Sequence, residues 1–130
     1  MIALDPRAAA RSARAAAPGR PATAVLHDGP DARLVVFRLA PGQAVPPHRS
    51  ASTVTLAVLA GAGVLSGGDG ERACAAGDVV VFAPDELHGM RAADAELLLL
   101  ATIAPRPGAR AGARAGTPVE APTGAPTGPR

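Results

Sequence analysis

Between residues 23 and 104 the chain is cut into short β-type runs by glycine- and proline-centred turns, about 8 to 12 residues apart. The runs are "TAVLH" (23–27), "ARLVVFRLA" (32–40), "QAVPPH" (43–48), "TVTLAVLA" (53–60), "GVLS" (63–66), "ERACAA" (71–76), "DVVVFA" (78–83), "LHGMR" (87–91) and "ELLLLATIA" (96–104). Pro41-Gly42, Gly61, "GGDG" at 67–70, Gly77 and "APDE" at 83–86 separate them. Asp69-Gly70 suits a hairpin turn, because both central positions of a type I′ turn need positive φ. No helical period runs through this region, so an all-β antiparallel sandwich or small barrel over residues 24–104 is predicted.

The core of such a body is built from Val, Leu, Ile and Ala, since Phe37 and Phe82 are the only aromatic residues. Residues 5–17, "DPRAAARSARAAA", offer an Asp N-cap, a proline at the first helical position and good helix formers, stopped by Pro18-Gly19. This arm, residues 1–23, is predicted to form at most a short helix with little to dock against, because alanine is nearly its only apolar side chain. Residues 105–130 repeat Ala, Gly, Arg, Pro and Thr around a single sizeable apolar group, Val119. Such a segment buries too little to offset its chain entropy, and a disordered tail is predicted.

The net charge of +2 raises the question of a nucleic-acid partner. Residues 24–104 hold five arginines against nine acidic residues, a net of −4, while the two ends carry the other eight arginines against Asp5 and Glu120. The basicity therefore belongs to the ends, and no nucleic-acid partner is expected. All thirteen basic residues are arginine, a bias typical of GC-rich bacterial genomes. Cys74 is the only cysteine, so no intrachain disulfide forms and a buried, inert thiol is expected. No apolar run is long enough to span a bilayer, and residues 1–20 lack the apolar centre of a secretory signal. No membrane partner and cytoplasmic residence are the expectations.

Two spacings carry the chemistry. Gly42 is followed by five residues to His48, two positions to Ser50, four to Val54 and seven to Gly61. Further on, Gly77 is followed by five residues to Ala83, then Asp85 and His88. These offsets resemble the two motifs of the cupin superfamily, G-x5-H-x-H-x3-E-x6-G and G-x5-P-x-G-x2-H, over about residues 30–104. The resemblance implies an antiparallel jelly-roll barrel, and in that family three histidines and a glutamate gather around one metal ion. In this chain Ser50 stands at the second histidine, Val54 at the glutamate, Ala83 and Asp85 at the proline and glycine, and Ala92 at the asparagine that often follows. Only His48 and His88 remain as metal-ligand candidates.

Two imidazoles fall one donor short of catalytic zinc sites and of the two-histidine, one-carboxylate iron sites. Glu86 and His27 are the residues that could complete a shell; the alternatives for them are a solvated carboxylate in a turn and a surface histidine. His48 with Ser50 lacks the acid and the oxyanion turn of a nucleophile-base pair. "GAGVLSGG" at 61–68 precedes no helix, so no phosphate cradle is indicated.

The function expected is therefore a small cupin barrel that binds a small, partly apolar organic ligand bearing an acceptor or carboxylate, without the usual tightly held metal. His48, Ser50, Val54, Leu56, His88 and Met90 are the predicted pocket residues. Three other readings stay open. One is a metal-dependent dioxygenase, isomerase or decarboxylase holding Fe, Mn, Ni or Zn through His48 and His88. Another is a structural or partner-binding dimeric module. The third is a barrel filled by its own side chains. "ELLLLATIA" is apolar on both faces, so a second subunit is expected to cover the outer one, and similar cupins are often homodimers.

Overall fold

The computed structural model describes residues 1–108. One short helix and eight strands follow in order: α1 (Pro6–Ser12), β1 (Arg14–Ala15), β2 (Ala22–Asp28), β3 (Arg33–Leu39), β4 (Ala44–His48), β5 (Thr53–Gly67), β6 (Gly70–Ala75), β7 (Val79–Phe82) and β8 (His88–Ala104). Every pairing is antiparallel, the architecture expected from the turn rhythm.

The sequence suggested two strands on either side of Gly61 and two more between 87 and 104. Each pair is instead one long strand, β5 and β8, and these two run alongside each other for most of their length. Register shifts at Val58/Ala60 and Gly61/Gly63 bend the pair, as bulges do. Before the bend, β5 lies between β8 and β7, and β8 carries β3, β2 and β1 beyond it. Past the bend, β5 pairs with β6 while β8 takes β4 at its other edge. Two sheets thus share two strands and enclose one interior.

Gly61 sits at the bend with φ +83°, and a Cβ there would collide with the Glu96 carbonyl of β8. Only glycine meets both demands. A turn sign thus becomes a bend sign.

Inward positions follow strand parity. Val35, Phe37 and Leu39 of β3, Val54, Leu56 and Val58 of β5, and Leu97, Leu99, Ala101 and Ile103 of β8 form the main core with Leu65, Phe82 and Met90. Cys74 lies in the same core, and burial pushes its thiol pKa up, so the residue behaves as a small apolar filler.

The outer face of the first sheet corrects one expectation. Ala10 of α1 is fully buried against Val36 and Leu98, with Leu26, Leu59 and Leu100 at the margins. The arm does dock, because small alanine side chains let the helix approach the apolar sheet face closely. Asp5 caps α1 by accepting from the Ala8 amide at 3.1 Å. Arg38 of β3 donates to the carbonyls of Arg11 and Ala13 at 2.8 and 2.9 Å, closing the other end. Arg7 holds the Leu59 carbonyl with two donors. The outer side of Leu98 is therefore covered by the chain's own helix, and a second subunit is not required there. The helix stops at Ser12, short of Ala17, because Arg14 and Ala15 pair with β2.

The barrel also reaches beyond Ala104. Arg106 donates to both carboxylate oxygens of Asp28 at 2.7 and 3.1 Å, and Arg33 approaches the same carboxylate. Ser52 donates to the Pro105 carbonyl at 2.7 Å. Residues 105 and 106 are thus tied to the body, which corrects the start of the predicted tail; the remainder of that prediction, residues 109–130, lies outside the described residues. No described helix is long and apolar enough to cross a membrane.

Two outcomes test this account. Leu98→Ala empties a fully buried outer position and is expected to cost about 2–5 kcal/mol in chemical denaturation; a loss below about 1 kcal/mol would mean α1 does not cover it. The arginines hold the Asp28 carboxyl below its usual range, so its contribution is present above the ordinary carboxylate pKa and is lost as pH falls through the lowered one. Asp28→Asn is expected to lower the melting temperature at neutral pH, and the gap from wild type should close in strong acid.

Candidate functional site

His48 ends β4, His88 opens β8, and the two are cross-strand partners. Their ring centroids lie 4.4 Å apart with planes inclined by 55°. The close approach depends on Gly89, where a Cβ would meet the Val45 carbonyl at 2.9 Å and Pro47 just beyond. His88 also stacks on Phe82 of β7, with centroids 4.6 Å apart and planes inclined by 14°.

The backbone sets the proton positions on both rings. His48 Nδ1 lies 3.0 Å from the Pro46 carbonyl, and His88 Nδ1 lies 2.8 Å from the Glu86 carbonyl. A carbonyl oxygen only accepts, so each Nδ1 carries a hydrogen. His88 is 4% exposed. Burial pushes its pKa below the ordinary histidine value, partly opposed by the Glu86 carbonyl and carboxylate. The ring is therefore neutral at physiological pH.

A small cavity of about 10 Å³ opens beside the pair, lined by the two imidazoles with Phe37, Val54, Leu56 and Met90 among its walls. That is roughly the space of one water molecule. Of the pocket residues predicted from sequence, His48, Val54, Leu56, His88 and Met90 line this cavity. Ser50 does not. β4 ends at His48, so strand alternation does not extend to Ser50, whose Oγ accepts from the Ser52 amide at 3.1 Å. Phe37, which the motif spacings do not mark as a pocket residue, also lines it, and its parity with Val35 and Leu39 on one strand points it inward.

Neither candidate third ligand joins the pair. The Glu86 carboxylate accepts from the Ala83 and Gly68 amides at 2.9 and 2.8 Å, which holds its pKa below the usual range. It ties the turn before β8 to the β5–β6 hairpin. His27, half-buried at a bulge of β2, is not part of the cavity lining. Among the described residues no group of three or more His, Cys, Asp or Glu side chains is placed to hold a metal ion. With hydrocarbon at Val54 and Ser50 turned into its own loop, the donor set does not fit a tightly bound ion.

The second motif keeps its backbone although its residues differ. Asp85, at the position of the family's glycine, adopts φ +66°, a conformation that aspartate tolerates better than most residues. Its amide donates to the Ser50 carbonyl at 2.7 Å, and its own carbonyl accepts from Arg49 at 2.9 Å. The loop after His48 and the turn before His88 are thus clamped to each other beside the two rings.

A bent two-sheet barrel with paired histidines at this point is a cupin-type, double-stranded β-helix protein. The chain belongs to the AraC-like ligand binding domain family, whose profile matches residues 32–127. Among solved structures it is similar to TT1209 from Thermus thermophilus, at 26% identity, 75% coverage of this chain, 94% of that chain and a TM-score of 0.68. It is also similar to an RmlC-like cupin protein from Desulfovibrio desulfuricans, at 29% identity, 72% and 91% coverage and a TM-score of 0.64. A double-stranded β-helix protein from Klebsiella pneumoniae shares the fold at 24% identity, 74% and 85% coverage and a TM-score of 0.67. No curated protein matches the chain significantly. The fold and family are those of a small-molecule-binding cupin barrel.

The lowered pKa of His88 has a consequence for stability. The unfolded chain binds a proton at this residue more readily than the folded one, so stability is full above the ordinary histidine pKa and declines as pH falls below it. The slope approaches about 1.4 kcal/mol per pH unit at most. Denaturation curves from neutral to mildly acidic pH should show the decline in wild type and lose it in His88→Gln; an equal decline in both would assign it to other groups.

Proposed function

We propose that the chain binds a small, partly apolar organic molecule between its two sheets, using His48 and His88 as the polar contacts and no tightly held metal ion. The observation that carries this reading is the pair of imidazoles set 4.4 Å apart on the wall of an otherwise hydrocarbon cavity. Few polar groups in an apolar pocket favour a ligand of the same mixed character. The cavity is water-sized as it stands, so entry requires a lining side chain to move. Met90 is the adaptable one, being unbranched at the cavity wall.

The alternative is a metal-dependent enzyme built on the same two histidines, and metal content separates the two. Protein purified without a histidine tag should carry Fe, Mn, Ni or Zn well below one ion per chain. Val54→Glu adds a carboxylate beside the imidazoles and should raise the amount retained after dialysis. Stoichiometric metal in wild type that disappears in both His48→Ala and His88→Ala would replace this reading with the enzymatic one.

A second reading, self-association, draws on the outer side of β7, where Val79 and Val81 are 63% and 60% exposed. Light scattering coupled to size exclusion should then give a dimer that Val79→Asp with Val81→Asp converts to monomer. A monomeric wild type would remove this reading.

A further inference from the structure

We infer that two copies of this chain associate edge to edge through β7, antiparallel about a two-fold axis at Val80, so that the sheet containing β7 runs on from one copy into the other. This rests on the self-association reading above and specifies its geometry.

Among the described strands, β1, β4, β6 and β7 each have a neighbour on one side only. An open edge displays backbone amides and carbonyls, and charges or prolines usually keep other strands away from it. β1 is two residues long and includes Arg14, β4 contains Pro46 and Pro47, and β6 carries Glu71 and Arg72. β7, "VVVF", has neither a charge nor a proline.

The phase of the ladder identifies the open groups. Ala57 stands opposite Val79, and the Val58 amide donates to the Asp78 carbonyl at 2.9 Å. Bonded and non-bonded pairs alternate along antiparallel strands, and a bond from 58 to 78 makes Ala57 and Val79 a non-bonded pair. The backbone groups of Val80 and Phe82 therefore face β5. Those of Val79 and Val81 face the open side, and their side chains are exposed as well.

The adjoining residues fix the register. A two-fold at Val79 would set Val81 against Gly77, whose amide already donates to the Val58 carbonyl at 2.9 Å. A two-fold at Val81 would set Val79 against Ala83, whose amide is held by the Glu86 carboxylate at 2.9 Å. With the two-fold at Val80, Val79 of one copy meets Val81 of the other, and both amides and both carbonyls of each edge find partners. Val79-Val80-Val81 reads the same in both directions, so an antiparallel second copy presents a matching residue at every position. Asp78, beside the triplet, has its carboxylate engaged by the Ala75 amide at 2.9 Å.

The full chain is tested by size exclusion with light scattering over a concentration series, and by amide hydrogen exchange. A reversible dimer is expected, with the Val79 and Val81 amides gaining protection as concentration rises. Val81→Pro removes a donor that faces away from β5, so it should fold and remain monomeric. In a Cys74→Ala background, Val80→Cys should oxidise to a covalent dimer, because a non-bonded antiparallel pair has its Cα atoms about 4.5 Å apart, within disulfide reach. A wild-type dimer whose Val79 and Val81 amides stay unprotected would overturn edge pairing while keeping self-association. A folded, dimeric Val81→Pro or a Val80→Cys that forms no cross-link would do the same; if Val81→Pro does not fold, exchange and cross-linking decide. A wild type that is monomeric throughout the series would overturn the self-association reading along with this inference.

Discussion

The double pairing of β5 with β8 is the constraint on which the rest of the structure depends. These strands meet in one sheet before the bend and in the other after it, so their shared curvature determines where both sheets face each other. The curvature in turn requires a residue at 61 with no side chain and positive φ, because β8 passes directly over it. Once the two strands turn together, Leu56 and Val58 come to face Leu65 and Met90 across one interior. The opening of β8 then brings His88 against the end of β4.

Much of this was legible in the order of residues, and the parts that were not have physical reasons. The strand runs and turn residues were sufficient for an antiparallel barrel, since period-2 alternation and positive-φ punctuation are local properties. That Gly61 bends a strand instead of ending one was not local; it depends on the carbonyl of Glu96 passing over it. The docking of α1 was hidden for a related reason. An alanine-rich helix carries no strong apolar stripe, and its fit to Val36 and Leu98 appears only once β3 and β8 place those two side chains together on the outer face.

At the site, the two histidines could be found by spacing because the motif offsets survive the loss of most motif residues. Asp85 shows why. The backbone conformation that the family's glycine would adopt is retained with a different side chain, so the turn still delivers His88 to its place. Ser50 could not be placed by alternation, because the strand ends two residues earlier and the hydroxyl serves its own loop. The hydrogen-bonding character of the rings was equally invisible, being set by the carbonyls of Pro46 and Glu86.

The Ser52–Pro105 hydrogen bond has a wider meaning for the chain. Ser52 belongs to the short loop that follows His48 and leans on Asp85 through Ser50, while Pro105 is where the polypeptide leaves the last strand. The departing backbone is therefore coupled to the rim of the histidine pair by one continuous string of hydrogen bonds. The loop after His48 and the exit of the last strand are thus held together as one unit.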